Sequence, residues 1–532
     1  MNYTLSLTGE AYATLRRHLC HDRQREQLAV TLCGFNRMSR RGVHELRLLV
    51  HEVILFPPDA FRRQSAAHLE LLPEVQAFVH RRAQQQRLIQ VDWHSHPGAG
   101  PGLAFSATDD HYESAQAAYL AHRMNGVPYG SVVVNDNAVD ARLWRTDVRP
   151  ATTETAAAYC PRAFPLNALL VGDLQQRFPL SAPDTALDNP ISPIFDRQVR
   201  AFGREFQQQL GALRVGVVGL GGMGSAIVEY LARMGVRDWV LVDPDVVDIT
   251  NLNRLVHAGV AAAQKRRPKV CVARSVVRQI RPRATIRALQ TTIFDPAALR
   301  ALKTCDLLIA ATDNHSSRMA LNRLAVQYLI PLVHVGFNIS VESSETAPHV
   351  TDVSGEFAIP DLGHWCLHCA GLYDPQLAGW ELATPEQQAL LQARGYVNNT
   401  PSPAVRHLDG LVTALAAAEI HNLVHPFKPA QRYLVYDALK TELTPLQMTA
   451  THTCPVCGAE NGVLGLGDLE PLPDYTRAAQ VKLPPVLASP PAPTTIESSP
   501  APDTFPLPST AHFRRSRPAT PGDPRTSTAS PD

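Results

Sequence analysis

Leu213–Gly224, with the sequence LRVGVVGLGGMG, decides the fold of the larger part of this chain of 532 residues. Its first residues are mostly apolar, so they predict a buried strand. The strand runs directly into the glycines of a phosphate loop, Gly219, Gly221, Gly222 and Gly224. Residues 223–234 then have a helical pattern. Because free backbone N–H groups at the start of a helix bind anions, the stretch predicts a site for the phosphates of a nucleotide.

The sequence after the loop predicts a parallel α/β sheet. The next apolar run, residues 239–243, ends in Asp243, an acid that suits the ribose hydroxyls of a nucleotide. Further apolar strands at 306–312 and 331–336 alternate with helical patterns, which is typical of a doubly wound fold. Up to this point a nicotinamide-binding unit fits equally well, since a glycine loop alone is weak evidence.

The composition argues against several classes of protein. Lys and Arg number 50 and Asp and Glu 49, and the formal net charge of +1 is not that of a dedicated nucleic-acid binder. The N-terminus has no signal pattern, and no apolar run approaches the roughly 20 residues that span a bilayer. We therefore expect a soluble, cytosolic protein without nucleic-acid or membrane partners.

The motifs that follow Asp243 narrow the chemistry. They are Asp245–Arg254 (DVVDITNLNR), Lys269 and Ala311–Asn314 (ATDN). Their types and order resemble the ThiF/MoeB/ubiquitin-activating family, whose pattern is G-x-G-G-x-G, D-x-D, N-L-x-R, a lysine and T-D-N. The resemblance covers residues 191–462. It implies a Rossmann-like, doubly wound domain that uses ATP and Mg²⁺ to adenylate the C-terminal glycine of a ubiquitin-like or sulfur-carrier protein.

The resemblance also implies a role for individual side chains. Asp243 would hold the ribose, and Asn251 would orient phosphate oxygens. Arg254 and Lys269 would stabilise the negative charge that builds up on the phosphates during adenylation. Asp313 would hold Mg²⁺.

A further arginine bears on the assembly. Arg197 matches a family arginine that typically reaches the nucleotide bound to a partner protomer. The resemblance therefore implies a homodimer.

Cysteine spacing indicates a second kind of metal. Among nine cysteines, four form two C-x-x-C pairs, Cys366 with Cys369 and Cys454 with Cys457. Two such pairs provide four thiolates for a structural, tetrahedral Zn²⁺, and the pairs fit the same family. A disulfide framework is the weaker alternative in a reducing compartment.

The remaining cysteines bear on the mechanism. Thioester-forming members of the family need a cysteine in the region that corresponds to residues 395–405, which contain none. Cys160 is the accessible candidate, whereas Cys33, Cys271 and Cys305 lie in apolar contexts typical of inert thiols. We therefore expect the acyl-adenylate to pass to a thiol on another protein, such as a separate conjugating enzyme.

The N-terminal part contains a separate cluster of metal-ligand types. An H-S-H-P motif at His94 and His96 follows an apolar strand, and an S-A-T-D motif leads to Asp109. These motifs resemble the JAB/MPN (JAMM) metallopeptidases. The resemblance implies a catalytic Zn²⁺ held by His94, His96 and Asp109, with water in the fourth position. It assigns the base to Glu26 and oxyanion stabilisation to Ser106.

These observations predict an α/β protein of four segments. Residues 1–147 form a mixed α/β JAB/MPN-like domain, and 148–190, rich in Pro, Ala and Thr, a linker with some local structure. The ThiF-type domain occupies 191–462, and 463–532 form a disordered tail rich in Pro, Ser and Thr.

The favoured hypothesis is a bifunctional enzyme of a prokaryotic ubiquitin-like pathway. One domain would adenylate the glycine of the modifier, and the other would process the modifier or remove it from targets. The first alternative is an adenylyltransferase for a sulfur carrier that becomes a thiocarboxylate in cofactor synthesis. The second alternative is a non-enzymatic scaffold that binds a ubiquitin-like partner.

Overall fold

The computed structural model describes residues 1–40, 42–66, 68–97, 103–149, 158–173, 176–180, 191–343, 348–384, 386–388, 405–449, 453–458 and 461–475. These residues contain two large sheets, each with helices packed against it. The mixed α/β fold class predicted from the sequence is confirmed.

The N-terminal half is built on a nine-stranded mixed sheet. Its strands and one separate hairpin are β1 (Asn2–Leu7), β2 (Leu28–Arg40), β3 (Val43–Leu55), β4 (Phe61–Gln64), β5 (Leu69–Leu71), β6 (Ile89–Ser95), β7 (Tyr129–Val134), β8 (Val139–Arg149), β9 (Ala158–Pro165), β10 (Ala168–Val171) and β11 (Gln176–Pro179). The order is β11-β10-β1-β3-β2-β6-β7-β8-β9, while β4 and β5 pair only with each other. The helices are α1 (Gly9–Leu19), α2 (Pro73–Gln86) and α3 (Ala107–Arg123).

The second half is built on an eight-stranded sheet. Its strands are β12 (Arg214–Val218), β13 (Asp238–Val242), β14 (Thr285–Leu289), β15 (Leu307–Ala310), β16 (Leu332–Ser343), β17 (Pro348–Ala358), β18 (Tyr433–Asp437) and β19 (Glu442–Pro445). Its helices are α4 (Asp196–Ala212), α5 (Gly222–Met234), α6 (Val260–Gln264), α7 (Lys269–Ile280), α8 (Pro296–Leu302), α9 (His315–Tyr328), α10 (Pro375–Glu381) and α11 (Arg406–Val424). The order is β14-β13-β12-β15-β16-β17-β18-β19.

The second sheet is parallel where the nucleotide loop lies. The first five strands in that order run parallel, and the last three are antiparallel additions. Along β13 the side chains alternate between two cores: Trp239 and Leu241 face one, and Val240 and Val242 face the other. Because successive strand side chains point to opposite faces, helices cover both sides, as a doubly wound fold requires.

The predicted linker contributes strands to the first sheet. Within 148–190, β9 pairs with β8, β10 pairs with β1, and β11 pairs with β10. The apolar stretch Leu166–Val171 supplies buried residues to the core of the first sheet. The part of this stretch that the structure describes is therefore an integral portion of the sheet, because its apolar residues complete that core.

The beginning of the predicted tail is also packed. Residues 461–475, which we call the strap, leave the cysteine cluster and lie against β2, where Gly467 bridges Phe35. The Leu466 and Leu469 side chains pack on a small core of the first half that includes Val30 and Leu32. The rest of the predicted tail, from residue 476, lies outside the described residues.

Two carboxylates join the halves. Asp306, just before β15, accepts two hydrogen bonds from the Arg40 guanidinium at 3.0 and 2.6 Å. Asp468 of the strap accepts from the Arg37 backbone N–H at 2.8 Å and from Lys303 Nζ at 2.5 Å.

Among the described helices, none is both long enough and apolar enough to cross a bilayer.

Candidate functional site

The glycine loop has a backbone that side chains would obstruct. Gly219 follows β12 with a φ of +87°, a conformation that favours glycine. A Cβ on Gly219 would lie 2.3 Å from the Ala311 carbonyl oxygen, and a Cβ on Gly224 would lie 1.9 Å from the Gly219 oxygen. A Cβ on Gly221, in contrast, would meet no heavy atom within 4 Å. The loop is closed on the protein side and open above Gly221.

Asp243 anchors the loop from the neighbouring strand. It follows β13, and its Oδ2 accepts the Leu220 backbone N–H at 2.6 Å, while its Oδ1 accepts that of Asp245 at 2.8 Å. Burial raises the pKa of Asp243, and the nearby Lys269 ammonium opposes that shift. Lys269 itself pairs with Asp245 at 2.8 Å. The acid and the lysine thus lie at one edge of the parallel sheet, beside the loop.

Asn251 and Arg254 lie in the turn that follows. The Asn251 side-chain oxygen accepts the Asp248 backbone N–H at 3.2 Å in a capping box. Arg254 Nη1 donates to the Thr250 carbonyl at 3.0 Å. The Arg254 Cβ lies 3.4 Å from the position that a Cβ on Gly222 would occupy. The arginine therefore borders the glycine loop.

Asp313 and Arg197 differ in their surroundings. Asp313 is exposed in the turn after β15, two residues beyond Ala311, whose carbonyl closes the loop. Because β15 and β13 flank β12, Asp313 and Asp243 follow the strands on either side of the glycine loop. Arg197 is exposed in the first turn of α4, and its role toward a partner protomer stays a prediction.

Asp409 is a residue that sequence reasoning missed. It lies in the first turn of α11, is 3% exposed, and its Oδ2 would lie 2.0 Å from a Cβ on Gly222. Burial raises its pKa, while Arg254 favours the ionised form. No motif around Asp409 distinguishes it from other helical acids, so the sequence carried no signal for this contact.

The four cysteines of the C-x-x-C pairs converge. The Sγ–Sγ distances are 3.8 Å for Cys366–Cys369, 3.8 Å for Cys366–Cys454 and 3.5 Å for Cys369–Cys457. Thiolates about 2.3 Å from a zinc ion lie roughly 3.8 Å apart at tetrahedral angles, so the donors fit Zn²⁺. An N–H of Asn322 reaches Cys366 Sγ at 3.3 Å, which suits a thiolate.

The metal-ligand types of the N-terminal half also converge. His94 Nε2 lies 3.1 Å from His96 Nε2 and 3.4 Å from Asp109 Oδ1, and His96 Nε2 lies 3.5 Å from Asp109 Oδ2. Ligands about 2.0–2.1 Å from a tetrahedral zinc ion lie roughly 3.4 Å apart, so these three groups fit one ion. The histidines come from the end of β6, and the acid from the first turn of α3.

Glu26 and Ser106 lie beside these three groups. Glu26 precedes β2, where Leu28 pairs with His94, so the sheet register brings the carboxylate to the end of β6. Burial raises the pKa of Glu26, against the opposing effect of His94 and His96. Ser106 caps α3, and its backbone N–H donates to Asp109 Oδ2 at 2.6 Å. The residues of both predicted motifs therefore belong to one constellation.

The thiols outside the cysteine cluster differ in accessibility. Cys33 and Cys305 are buried, and burial raises the pKa of each to about 12. Cys160 is half-buried in β9, opposite Asp147 on β8. Residues 395–404, most of the region that corresponds to the thioester cysteine of the family, lie outside the described residues.

Comparisons with known proteins agree with this division. Residues 195–456 match the model of the ThiF family, and residues 9–147 match that of the prokaryotic homologs of the JAB domain. The molybdopterin-synthase adenylyltransferase of Salmonella typhimurium is 29% identical over 269 residues, which are 50% of this chain and 95% of that protein.

Two further proteins are similar over comparable lengths. The SAMP-activating enzyme E1 of Haloferax volcanii is 29% identical over 307 residues, 57% of this chain and 99% of that protein. A crystal structure of E. coli MccB with MccA-N7isoASN superposes with a TM-score of 0.40 and 16% identity, covering 51% of this chain and 76% of that chain.

Proposed function

Because this chain joins a JAB-type domain, matched at residues 9–147, to a ThiF-family domain, matched at 195–456, we propose that it is a bifunctional enzyme. The ThiF domain adenylates the C-terminal glycine of a ubiquitin-like protein of a prokaryotic pathway. The JAB domain cleaves the same modifier from a precursor or a target. Similarity to an enzyme named as activating SAMP and to one named as a molybdopterin-synthase adenylyltransferase supports the first activity.

One observation carries the adenylation proposal. The glycine loop, Asp243, Lys269, Arg254 and Asp313 all border the same edge of the parallel sheet, at the ends of adjacent strands. Ligands of open α/β sheets bind at this edge, and two cations there suit a triphosphate. The open side of the loop, above Gly221, gives the phosphates a place to approach backbone N–H groups.

In the reaction, this site would act by position and charge. The terminal carboxylate of the modifier attacks the α-phosphate of ATP, an acyl–phosphate bond forms, and pyrophosphate leaves. Lys269 and Arg254 stabilise the negative charge on the phosphates, and Asp243 holds the ribose. Asp313 would be a carboxylate ligand for Mg²⁺, which would neutralise charge on the departing pyrophosphate.

The adenylation proposal is tested by exchange of pyrophosphate into ATP. With a ubiquitin-like protein ending in glycine as the probe, Asp313→Ala should abolish exchange in the full chain. Glu442→Ala, which removes an exposed acid on β19 of the same domain, is the matched control and should exchange like the wild type. Undiminished exchange in Asp313→Ala would contradict the assignment, and absence of MgATP binding by the wild type would favour the scaffold alternative.

The peptidase proposal rests on the His94, His96 and Asp109 triangle. A zinc ion held by these groups would supply a Lewis acid and a water of lowered pKa. Glu26 lies beside the triangle, and burial raises the pKa of its carboxyl, which favours its role as the acceptor of a proton from that water. The exposed Ser106 at the start of α3 is the group that would stabilise the developing oxyanion.

Cleavage can be tested separately from adenylation. A fusion with the modifier glycine followed by a short peptide is the substrate, and Glu26→Gln should eliminate cleavage while pyrophosphate exchange continues. Ser39→Ala, which changes an exposed residue of β2, the strand that Glu26 precedes, is a control expected to leave both activities intact. Cleavage that persists in both Glu26→Gln and His94→Ala would refute the assigned roles.

Sulfur transfer is the second candidate function. It is favoured by the similarity to a molybdopterin-synthase adenylyltransferase and by the high pKa of Cys33 and Cys305, which makes these two thiols poor nucleophiles. Mass spectrometry of the carrier protein after reaction with ATP and a sulfur donor distinguishes sulfur transfer from conjugation. A terminal thiocarboxylate supports sulfur transfer, and an isopeptide-linked product supports conjugation.

A further inference from the structure

A buried ion network lies behind the N-terminal metal-ligand triangle. Arg142, on β8, donates from Nε to Glu113 Oε2 at 2.7 Å and from Nη1 to Asp110 Oδ1 at 2.5 Å. The same Glu113 oxygen accepts from Ser131 Oγ at 2.5 Å and from Trp144 Nε1 at 2.7 Å. The side chains of Glu113 and Arg142 are 4% and 12% exposed. Removing such a charge pair from water has a large free-energy cost, so the pair is not explained by stability alone.

The network holds the first turns of α3 against the sheet. Asp110 directly follows the proposed zinc ligand Asp109 along this helix, and Glu113 lies about one turn beyond Asp109. Ser131 and Arg142 are paired across β7 and β8. Arg142 therefore connects two successive turns of α3 to a rigid strand pair.

The same guanidinium also fixes the residue before Ser106. Its Cζ lies 3.8 Å from the centre of the Phe105 ring, a close cation–π contact. The Phe105 ring in turn meets the His94 ring edge-on at 6.2 Å. Arg142 thus touches the chain on both sides of the Ser106–Asp109 turn, before it through Phe105 and after it through Asp110.

We propose that Arg142 and Glu113 are positioning residues that hold Asp109 and Ser106 in place for zinc binding and catalysis; this inference rests on the peptidase function proposed above. A carboxylate ligand supplied by the first turn of a helix keeps its distance to the two histidines only if that turn is fixed. The β8 arginine fixes it by charge, by hydrogen bonds and by ring contact. Outer residues that orient metal ligands commonly contribute 10–100-fold to metal affinity or activity.

Zinc affinity of the full chain tests the inference without any substrate. Competition with a chromophoric chelator measures both zinc equivalents, and the equivalent lost in His94→Ala identifies the N-terminal site. Arg142→Lys keeps the positive charge but loses the planar guanidinium, which donates to Glu113 and Asp110 from separate nitrogens and lies over the Phe105 ring. We expect its N-terminal zinc affinity to fall about 10–100-fold, with the cysteine-bound equivalent unchanged.

Two further variants separate positioning from general stability. Arg162→Lys changes an exposed arginine of the same sheet, paired with Asp147 at 3.9 Å, and should retain wild-type zinc affinity. Phe105→Leu removes the contact between the Phe105 ring and Arg142 but leaves the ion pairs of Arg142. It should weaken zinc binding and lower the thermal midpoint less than Arg142→Lys does. This variant decides the matter if Arg142→Lys does not fold.

The outcomes distinguish the inference from its premise. If the wild type holds no zinc at the N-terminal triangle, the peptidase proposal fails. If the wild type binds zinc there and folded Arg142→Lys and Phe105→Leu bind it equally tightly, only the positioning role is overturned. Weaker binding in these variants but not in Arg162→Lys supports the role, and cleavage by the same variants should then fall mainly in kcat.

Discussion

Two glycines of the phosphate loop, Gly221 and Gly224, should respond differently to substitution by alanine. At Gly224 an added Cβ would lie 1.9 Å from the Gly219 carbonyl oxygen, a backbone atom that cannot move without displacing β12 or α5. Overpacking of this kind costs about 1–3 kcal/mol. At Gly221 the φ is −72° and the space is open, so alanine should cost at most about 1 kcal/mol through loss of a favourable helix cap.

The assays are thermal unfolding and MgATP binding by calorimetry. Gly224→Ala should lower the thermal midpoint by about 4–10 °C, and Gly221→Ala by only about 2 °C. Gly221→Ala should nevertheless weaken MgATP binding at least about tenfold, or ~1.4 kcal/mol, because its methyl group enters the space proposed for the phosphates. Unchanged nucleotide affinity in a stable Gly221→Ala protein would refute the placement of the phosphates above this residue.

Three shorter predictions concern stability and thiol reactivity. Asp306→Asn should lower the free energy of unfolding by about 3–5 kcal/mol because it removes the carboxylate that binds the Arg40 guanidinium through two hydrogen bonds. Burial alone would raise the pKa of Asp306, but the Arg40 guanidinium holds this pKa below its ordinary value of 3.8. The wild type should therefore have its full stability advantage over Asp306→Asn above pH 3.8. The advantage should disappear at lower pH, as the carboxylate of the folded protein becomes protonated. Asp468→Asn should lower the thermal midpoint through about 1.5–3 kcal/mol of lost charged hydrogen bonding, measured by calorimetry. Cys33 and Cys305 should resist iodoacetamide near pH 8 in native protein and react in urea, as followed by mass spectrometry; native labelling would contradict their burial.

Much of the fold could be predicted because its elements have clear patterns. The helical pattern predicted at residues 223–234 belongs to α5, Gly222–Met234. The apolar run before the glycine loop is β12, and the alternation of strands and helices predicted the doubly wound sheet. Local propensity and side-chain periodicity agree in these elements, so the sequence around each one was sufficient.

The contacts between distant parts of the chain could not be predicted. Residues 158–171 and 176–179 join the first sheet through backbone pairing, although they belong to the stretch 148–190, whose content of Pro, Ala and Thr is typical of a linker. The strap has no regular apolar pattern that predicts a helix or strand, and its hydrogen bond between Arg37 N and Asp468 spans 431 positions. The contact between Asp409 of α11 and the glycine loop likewise joins residues that are far apart in the sequence. Such pairings depend on three-dimensional register, which no local pattern encodes.

The structure brings the motif residues of each candidate site together, whereas the roles of these residues stay predictions. Motif order alone placed His94, His96 and Asp109 in one metal triangle. The Arg142–Glu113 network, in contrast, had no signature, because an arginine in a strand and an acid in a helix are ordinary surface residues in most sequences. Only the structure reveals that Glu113 is buried and that the side chain of Arg142 is mostly covered.

The strap makes the order of synthesis important for the N-terminal half. Val30 and Leu32 leave the ribosome more than 430 residues before Leu466 and Leu469, which cover their small core. At 5–20 residues per second, this core stays uncovered for roughly 20–90 seconds of translation. A nascent chain therefore leaves this side of the small core exposed until the strap emerges, and separating the two halves into two genes would leave the first product with these apolar side chains permanently uncovered.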